Sequence, residues 1–274
     1  MAVSIDRFLR EATNQLHMCG IETARLDSLV LLSDELGHDK AWVLAHPDYI
    51  LQVSVLKKMN TKIAQRSNHI PLAYIRGKSE FYGREFMVNK HVLVPRPESE
   101  SMIGLLKRFV DPDSRTTIID VGTGSGCLAI TVKLELPNST VVALDSSYEC
   151  LRVAKQNATK LVADITFLES DLLDSMQDSS FKIQDSILLA NLPYVPNDYP
   201  VNNAAAHEPP LALFGGSDGL KLYRKLFSQA KELRVTCIIT ESLTEQHAGL
   251  IKTARENAFR HASTDGFAQL FLAD

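Results

Sequence analysis

The chain has 274 residues, 45% of them apolar, and a formal net charge of −4, which is chain and apolar surface enough for a sizeable core and excludes general disorder. Its four cysteines, Cys19, Cys127, Cys150 and Cys237, are scattered with no C-x-x-C pair and no histidine at ligand spacing, so neither a disulfide scaffold nor a metal site is expected. No apolar run reaches the ~18–20 residues of a membrane span and no basic-then-apolar leader opens the sequence, so a cytoplasmic protein without membrane contact is expected.

Residues 1–70 read as helices. Ile5, Phe8, Leu9, Ala12 and Leu16 recur at helical spacing up to Gly20; a second run spans Arg25–Leu36 before Gly37, and a third spans Val53–Ala64. Small bundles of this kind more often dock partners than do chemistry. From Pro71 to Glu100 the texture changes. Phe81-Tyr82-Gly83-Arg84-Glu85-Phe86 predicts a hairpin, and Pro95-Arg96-Pro97 delays the next helix until about Glu98. Ser99 and Glu100 suit a first helical turn.

After Asp111 strands and helices alternate. Thr116–Val121, Thr140–Leu144, Ile165–Leu168, Ser186–Ala190 and Thr236–Thr240 read as strands. Leu128–Leu136, Tyr148–Leu161, Lys221–Leu233 and Thr244–Phe259 read as helices. The alternation predicts an α/β fold with a mostly parallel sheet and helices on both faces, its ligand at the carboxyl ends of the strands. Charge is uneven as well. Lys57–Arg108 holds eleven Lys/Arg against four Glu, while residues 111–274 hold fourteen basic and twenty-one acidic residues. A solvated face is the plain account of the basic stretch; a surface for a partner that carries or imitates nucleic acid is the sharper one.

Two constellations carry chemistry. The first is Asp120-Val121-Gly122-Thr123-Gly124-Ser125-Gly126, a Gly-rich turn after a strand. Its G-x-G-x-G spacing is one residue shorter than the dinucleotide fingerprint, and it lacks the Lys-Ser/Thr pair of a phosphate-binding loop. Asp145 ends the next strand, where such sheets present a carboxylate to ribose hydroxyls; a helix cap is the structural alternative. Asp171-Leu172 follows the third strand, where an adenine ring would lie and where a plain surface loop would serve as well.

The second is Asn191-Leu192-Pro193-Tyr194 at the end of a buried strand. An amide-like nitrogen is a poor nucleophile because its lone pair is delocalised. Two acceptors that hold both of its hydrogens favour a pyramidal nitrogen and aim the lone pair. The Asn191 side-chain oxygen and the Leu192 carbonyl can be those acceptors, with Pro193 fixing the chain direction and Tyr194 stacking on the planar group beside the path to a sulfonium. Alone, a strand-end Asn-x-Pro is a turn. Together with the Gly-rich loop and the acid-ended strand, it points to methyl transfer by in-line displacement, driven by positioning rather than by a side-chain base.

The chain resembles the HemK/PrmC family, methyltransferases of the glutamine in the Gly-Gly-Gln loop of peptide chain release factors. Pro71-Leu72-Ala73-Tyr74-Ile75-Arg76-Gly77 with Phe81-Tyr82-Gly83 is similar to that family's inter-domain hairpin. Val94–Glu100 is close to its P-R-P-E-T-E signature, Asp120–Gly126 to its cofactor loop, and Glu208-Pro209, Ala212-Leu213 and Gly215–Leu220 to its E-P…A-L…G-G-x-D-G-L run. The resemblance implies a Rossmann-like class I methyltransferase fold with a seven-stranded, mostly parallel sheet, preceded by a helical bundle and a β-hairpin linker. It implies a release-factor-docking domain over 1–70, a linker over 71–100 and a catalytic domain over 101–274.

The implied cofactor is S-adenosyl-L-methionine, leaving as S-adenosyl-L-homocysteine. Gly122, Thr123, Gly124, Ser125, Gly126, Asp145, Asp171, Leu172 and Asn191 would bind it. Asn191, Leu192, Pro193 and Tyr194 would hold the substrate amide, with Asn191, Pro193 and Tyr194 as the catalytic set. The implied partner is a release factor met by a monomer, with no direct binding of nucleic acid. One departure stands out: the family usually has N-P-P-Y, and N-L-P-Y is the form of rRNA dimethyladenosine transferases. An adenine exocyclic-amine methyltransferase is therefore the second reading, and a non-catalytic cofactor-binding scaffold the third.

Overall fold

The computed structural model describes residues 2–176 and 183–274. The chain divides into two units: one runs to Gly77 and takes in Asn202–His207, and the other comprises Lys78–Val201 and Glu208–Asp274.

In the first unit, α1 (Ile5–Met18) starts where the Ser4 hydroxyl accepts the Arg7 N–H, and it buries Ile5, Phe8, Ala12 and Leu16 along one stripe. α2 (Ala24–Leu36) follows. A short helix, α3 (Lys40–Ala45), was not evident from periodicity; the Asp39 carboxylate caps it at the Trp42 N–H. α4 (Val53–Ser67) and α5 (Leu72–Arg76) complete the unit. Leu16, Leu31, Leu32, Val43, Met59 and Ile63 share its core. The buried Asp27 of α2 meets Arg66 of α4 at 2.6 Å.

The second unit opens with the hairpin β1 (Lys78–Phe81) and β2 (Arg84–Met87). A turn of helix at Pro97–Ser99 leads into α6 (Glu100–Phe109). Then come β3 (Thr117–Val121), α7 (Cys127–Glu135), β4 (Thr140–Asp145), α8 (Tyr148–Leu161) and β5 (Thr166–Glu169). They are followed by β6 (Ile187–Ala190), α9 (Pro210–Leu213), α10 (Lys221–Glu232), β7 (Cys237–Glu241), α11 (His247–Glu256), β8 (Phe259–Asp265) and β9 (Ala268–Ala273). The seven-stranded sheet has the order β5-β4-β3-β6-β7-β9-β8, parallel except for β9 and β8.

Alternate residues of each strand face opposite cores, as a pleat requires. Ile118, Val141, Ile187 and Ile239 pack with Phe81 and Phe86 of the hairpin and with Leu105 and Leu106 of α6. Ile119, Val142, Leu188 and Ile238 pack with Tyr223 and Phe227 of α10 and Leu250 of α11. The result is the mostly parallel sheet with helices on both faces that the alternation predicts, in the Rossmann-like form that the resemblance implies.

One expectation fails. Thr244–Phe259 is not a single helix: a turn over Thr244–Gln246 precedes α11, which ends at Glu256, and Phe259 opens β8. Ala258, at φ 61°, reverses the chain. Phe259 is then buried edge-on to Phe227 at 5.4 Å, so burial of one aromatic outweighs continued helical hydrogen bonding. Among the described residues no helix is long and apolar enough to cross a membrane.

Candidate active site

Register builds the site. β3 lies between β4 and β6, with Val121 paired to both Leu144 and Ala190, and Ala190 is paired in turn to Thr240 of β7. One residue further along each strand, Asp145, Gly122, Asn191 and Glu241 therefore stand in a row at the carboxyl edge. The chain crosses from one side of β3 to the other here, which is where open α/β sheets leave a crevice.

The crevice is a cavity of about 370 Å3, lined by Gly122–Ser125, Asp145, Ser170–Leu172 and Asn191–Pro193. The segment Lys90–Arg96 forms another part of its wall. Glu208, almost fully buried, holds that segment by accepting the Val94 N–H at 2.9 Å and pairing with the Arg96 guanidinium. Two residues 112 positions apart in sequence thus fix one wall.

Asp120 is fully buried, and it is not among the residues that line the cavity. Its Oδ2 accepts the Thr123 hydroxyl at 2.6 Å and the Ala129 N–H at 3.2 Å, tying the Gly-rich loop to the first turn of α7. Burial pushes its carboxyl up to about 6, against those hydrogen bonds. Gly122, at φ 75°, has the left-handed backbone that glycine tolerates; an added Cβ would stand 3.1 Å from Leu192 Cδ2. The two motifs thus touch through this glycine.

Asp145 lines the cavity and also does the work of a cap. Its Oδ2 accepts the Gly124 N–H and its Oδ1 the Ser147 N–H, each at 2.9 Å. Burial raises its pKa, opposed by those two N–H groups. Each oxygen keeps a lone pair, which is what a pair of ribose hydroxyls requires. Leu172, buried at φ 54°, gives the cavity an apolar edge, while the exposed Asp171 carboxylate is paired with Lys225 at 2.6 Å. Carboxylate, glycine backbone and apolar edge fit a nucleoside-bearing cofactor. Cys127 also lines the cavity, but burial pushes its thiol up to about 12, which removes it as a nucleophile.

At the other end of the crevice, Asn191 Nδ2 donates to the Ser99 hydroxyl at 2.8 Å. Leu192 is buried, and its N–H donates to the Tyr223 hydroxyl. Tyr194 is not among the lining residues: its hydroxyl donates to Glu241 Oε1 at 3.0 Å, and its carbonyl accepts Gln246 Nε2 at 2.7 Å. Gly219, at φ 75°, packs so tightly on that carbonyl that an added Cβ would land on the oxygen. The G-G-x-D-G-L run is therefore a clamp on the Asn191–Tyr194 loop.

Four site residues escaped the sequence reading of chemistry. Ser99 had been read as a first-turn residue, and Glu208 as part of a motif. Glu241 and Gln246 had been passed over within a strand end and a helix. Only the register of β6 against β7 reveals Glu241.

A Rossmann-like sheet with a nucleoside-sized crevice and an amide-bearing loop at its switch point defines a methyltransferase. Residues 7–77 match the PrmC N-terminal domain, and residues 102–205 match the methyltransferase small domain. The release factor glutamine methyltransferase of Koribacter versatilis (strain Ellin345) is 35% identical over 224 residues, 81% of this chain and 79% of that one. That of Bacillus subtilis (strain 168) is 35% identical over 79% of this chain and 76% of its own. The N-terminal domain of human METTL16, solved in complex with SAH, shares the fold at a TM-score of 0.50 and 16% identity, over 90% of this chain and 92% of that one. The chain belongs to the release factor glutamine methyltransferase family.

Proposed function

We propose that this enzyme transfers a methyl group from S-adenosyl-L-methionine to the side-chain amide nitrogen of the glutamine in the Gly-Gly-Gln motif of peptide chain release factors, in the cytoplasm. The observation that carries this reading is that Gly122–Ser125, Asp145 and Asn191–Pro193 line one cavity.

The cofactor supplies a methyl group made electrophilic by a positively charged sulfur. The chain's residues do the rest by positioning. Asp145 accepts two ribose hydroxyls, Asp171 and Leu172 border the adenine, and the loop Gly122–Gly126 lies against the remainder, its glycines putting no Cβ in the way. The Asn191 side-chain oxygen and the Leu192 carbonyl accept the two amide hydrogens of the substrate glutamine, turning its lone pair toward the methyl group. Pro193 holds the direction of the chain, and Tyr194, anchored through its hydroxyl, holds the loop. The helical N-terminal unit serves as the docking domain for the release factor. The Leu192 side chain is no obstacle, because the acceptor at that position is backbone.

The test is methyl transfer from labelled S-adenosylmethionine to purified release factor, to the same factor with its loop glutamine replaced, and to bulk rRNA. Label on the intact factor alone supports the reading. Label on rRNA overturns it in favour of an adenine exocyclic-amine methyltransferase.

A further inference from the structure

We propose that Asn157 is a positioning residue that ties the Gly-rich loop to the strand leading into the cavity wall, and so couples order in β2 to occupation of the cofactor site. The inference rests on the reading of Gly122–Gly126 as the cofactor loop.

Asn157 sits in α8 and is completely buried. An asparagine amide offers two N–H donors and one oxygen, groups of the kind that a neighbouring strand offers to a strand edge. Asn157 uses all of them. Its Oδ1 accepts the Met87 N–H at 2.7 Å, and its Nδ2 donates to the Met87 carbonyl at 3.0 Å. The same nitrogen donates to the Ser125 carbonyl at 2.9 Å. The amide thus completes the edge of β2 at its last residue and holds one peptide of the Gly-rich loop.

Only one orientation of the amide satisfies these partners. Turned over, its oxygen would face the carbonyls of Met87 and Ser125, and its NH2 would face the Met87 N–H. Both contacts are repulsive in a buried site. A planar amide also moves as one body, so displacing it at Met87 displaces it at Ser125.

The rest of that helix face agrees. Cys150, Ala154 and Asn157 follow one another at the spacing of helix neighbours. Cys150 Sγ donates to the His91 carbonyl, in the wall segment, at 3.2 Å. Ala154 lies so close to the loop that a Cβ added to Gly126 would stand 3.1 Å from the Ala154 Cβ. One side of α8 touches wall and loop in turn, and Asn157 bonds to both the loop and the strand that enters the wall.

Ser125 lines the cavity, whereas Asn157 and Met87 are not among the lining residues. Asn157 therefore acts through the loop and not on the ligand. Two segments held through one amide share an equilibrium. Whatever fixes the Ser125 peptide favours closure at Met87, by the same factor in both directions. Val88 and Asn89 then carry the chain from Met87 into the wall segment Lys90–Arg96.

The experiment uses the full-length protein and S-adenosylhomocysteine. Calorimetry of wild type and Asn157→Ala reads Kd, with the thermal midpoint recorded beside it. Hydrogen exchange at the Met87 amide of the wild type is followed as the ligand is added. Asn157→Ala is expected to raise Kd about 10-fold, the scale of losing one hydrogen bond behind a loop that touches the ligand. Protection of the Met87 amide is expected to rise by the same factor of about 10 and then level off, because opening at Asn157 weakens binding without abolishing it. An asparagine that only supports the fold gives neither the change in Kd nor the plateau. Asn157→Asp keeps the acceptor for the Met87 N–H but replaces the donor, and is expected to raise Kd at least as far.

A Kd within about twofold of wild type in both variants overturns the inference and leaves the cofactor reading intact. So does protection at Met87 that stays flat, or that climbs in proportion to ligand without limit, since exchange would then require the whole site to open. A wild-type protein that binds no S-adenosylhomocysteine overturns the reading of the loop, and the inference with it. The exchange measurement needs no variant, so it decides the matter if neither substitution folds.

Discussion

The backbone N–H of Leu192 donates to the hydroxyl of Tyr223 over 3.3 Å, and that hydroxyl also reaches the carbonyls of Ala190, at 3.1 Å, and of Glu241. Tyr223 is completely buried, so one phenol joins the ends of β6 and β7. A proline at position 192 has no N–H to give. Leu192→Pro loses about 1 kcal/mol of hydrogen bonding and regains a similar amount from a stiffer unfolded chain. The expected result is a thermal midpoint within about 3 °C of wild type and kcat within about threefold. A tenfold loss of kcat would show that the Leu192 N–H has a catalytic use.

Asn191→Ala removes one acceptor from the amide clamp but nothing from the ribose end of the cavity. Turnover is expected to fall by ~100-fold or more, with calorimetric cofactor affinity nearly unchanged. Near-normal turnover would end the clamp model.

Asp145→Ala removes hydrogen bonds to a charged acceptor, each worth roughly 1.5–3 kcal/mol. Cofactor Kd is expected to rise about 10- to 100-fold. The variant also frees the Gly124 and Ser147 N–H groups, so a melting curve belongs beside the calorimetry. An unchanged Kd would assign Asp145 to capping alone.

Asp120 predicts a pH dependence. Its carboxyl is pushed up to about 6 by burial, whereas in an unfolded chain it titrates near ~3.9. Between those values the folded state keeps a proton that the unfolded state has released. Stability therefore falls as pH rises through the window, by roughly 3 kcal/mol in all, and is level above it. Asp120→Asn keeps an oxygen for Thr123 and Ala129 but cannot ionise. Measured by urea unfolding from pH 4 to 6.5, the stability of wild type minus that of the variant is expected to decline. A constant difference would show that Asp120 stays ionised.

Gly219→Ala forces a Cβ onto the Tyr194 carbonyl at a left-handed φ, whereas Gly266, at φ 56°, has nothing within 4 Å of an added Cβ. Gly266→Ala is expected to cost only the backbone term, about 1–2 kcal/mol. Gly219→Ala is expected to cost more than that in chemical denaturation, and to lower kcat because the loop that holds the substrate is displaced. Equal costs for the two would mean that the clamp region yields freely.

The fold was largely legible because its signals are local. Tyr148–Leu161 emerges with the bounds read from the sequence, its start set by the Ser147 cap and its face by Leu151, Val153, Ala154 and Ala158. The buried strands are short apolar runs between turn residues. β8 was missed because Arg260, Ser263, Thr264 and Asp265 give an edge strand little apolar alternation, and because the reversal before it falls on Ala258 rather than on Gly or Pro. The cofactor loop and the Asn191 loop were legible as contiguous motifs. Ser99, Glu208 and Glu241 were not, since each reaches the site through long-range pairing: Ser99 across 92 residues to Asn191, Glu208 across 112 to Arg96, and Glu241 across 47 to Tyr194.

β9 lies between β7 and β8 and pairs Ala268 with Glu241. Every parallel strand is therefore translated before the strand that seals the exposed side of β7. While β9 is still in the ribosomal tunnel, the backbone of Cys237–Glu241 presents an open edge, the kind of surface through which nascent chains pair with the wrong partner. The acceptor half of the site is thus completed later in synthesis than the cofactor half. Slow translation after Asp265 would lengthen the interval in which the cofactor half is complete and the acceptor half is not.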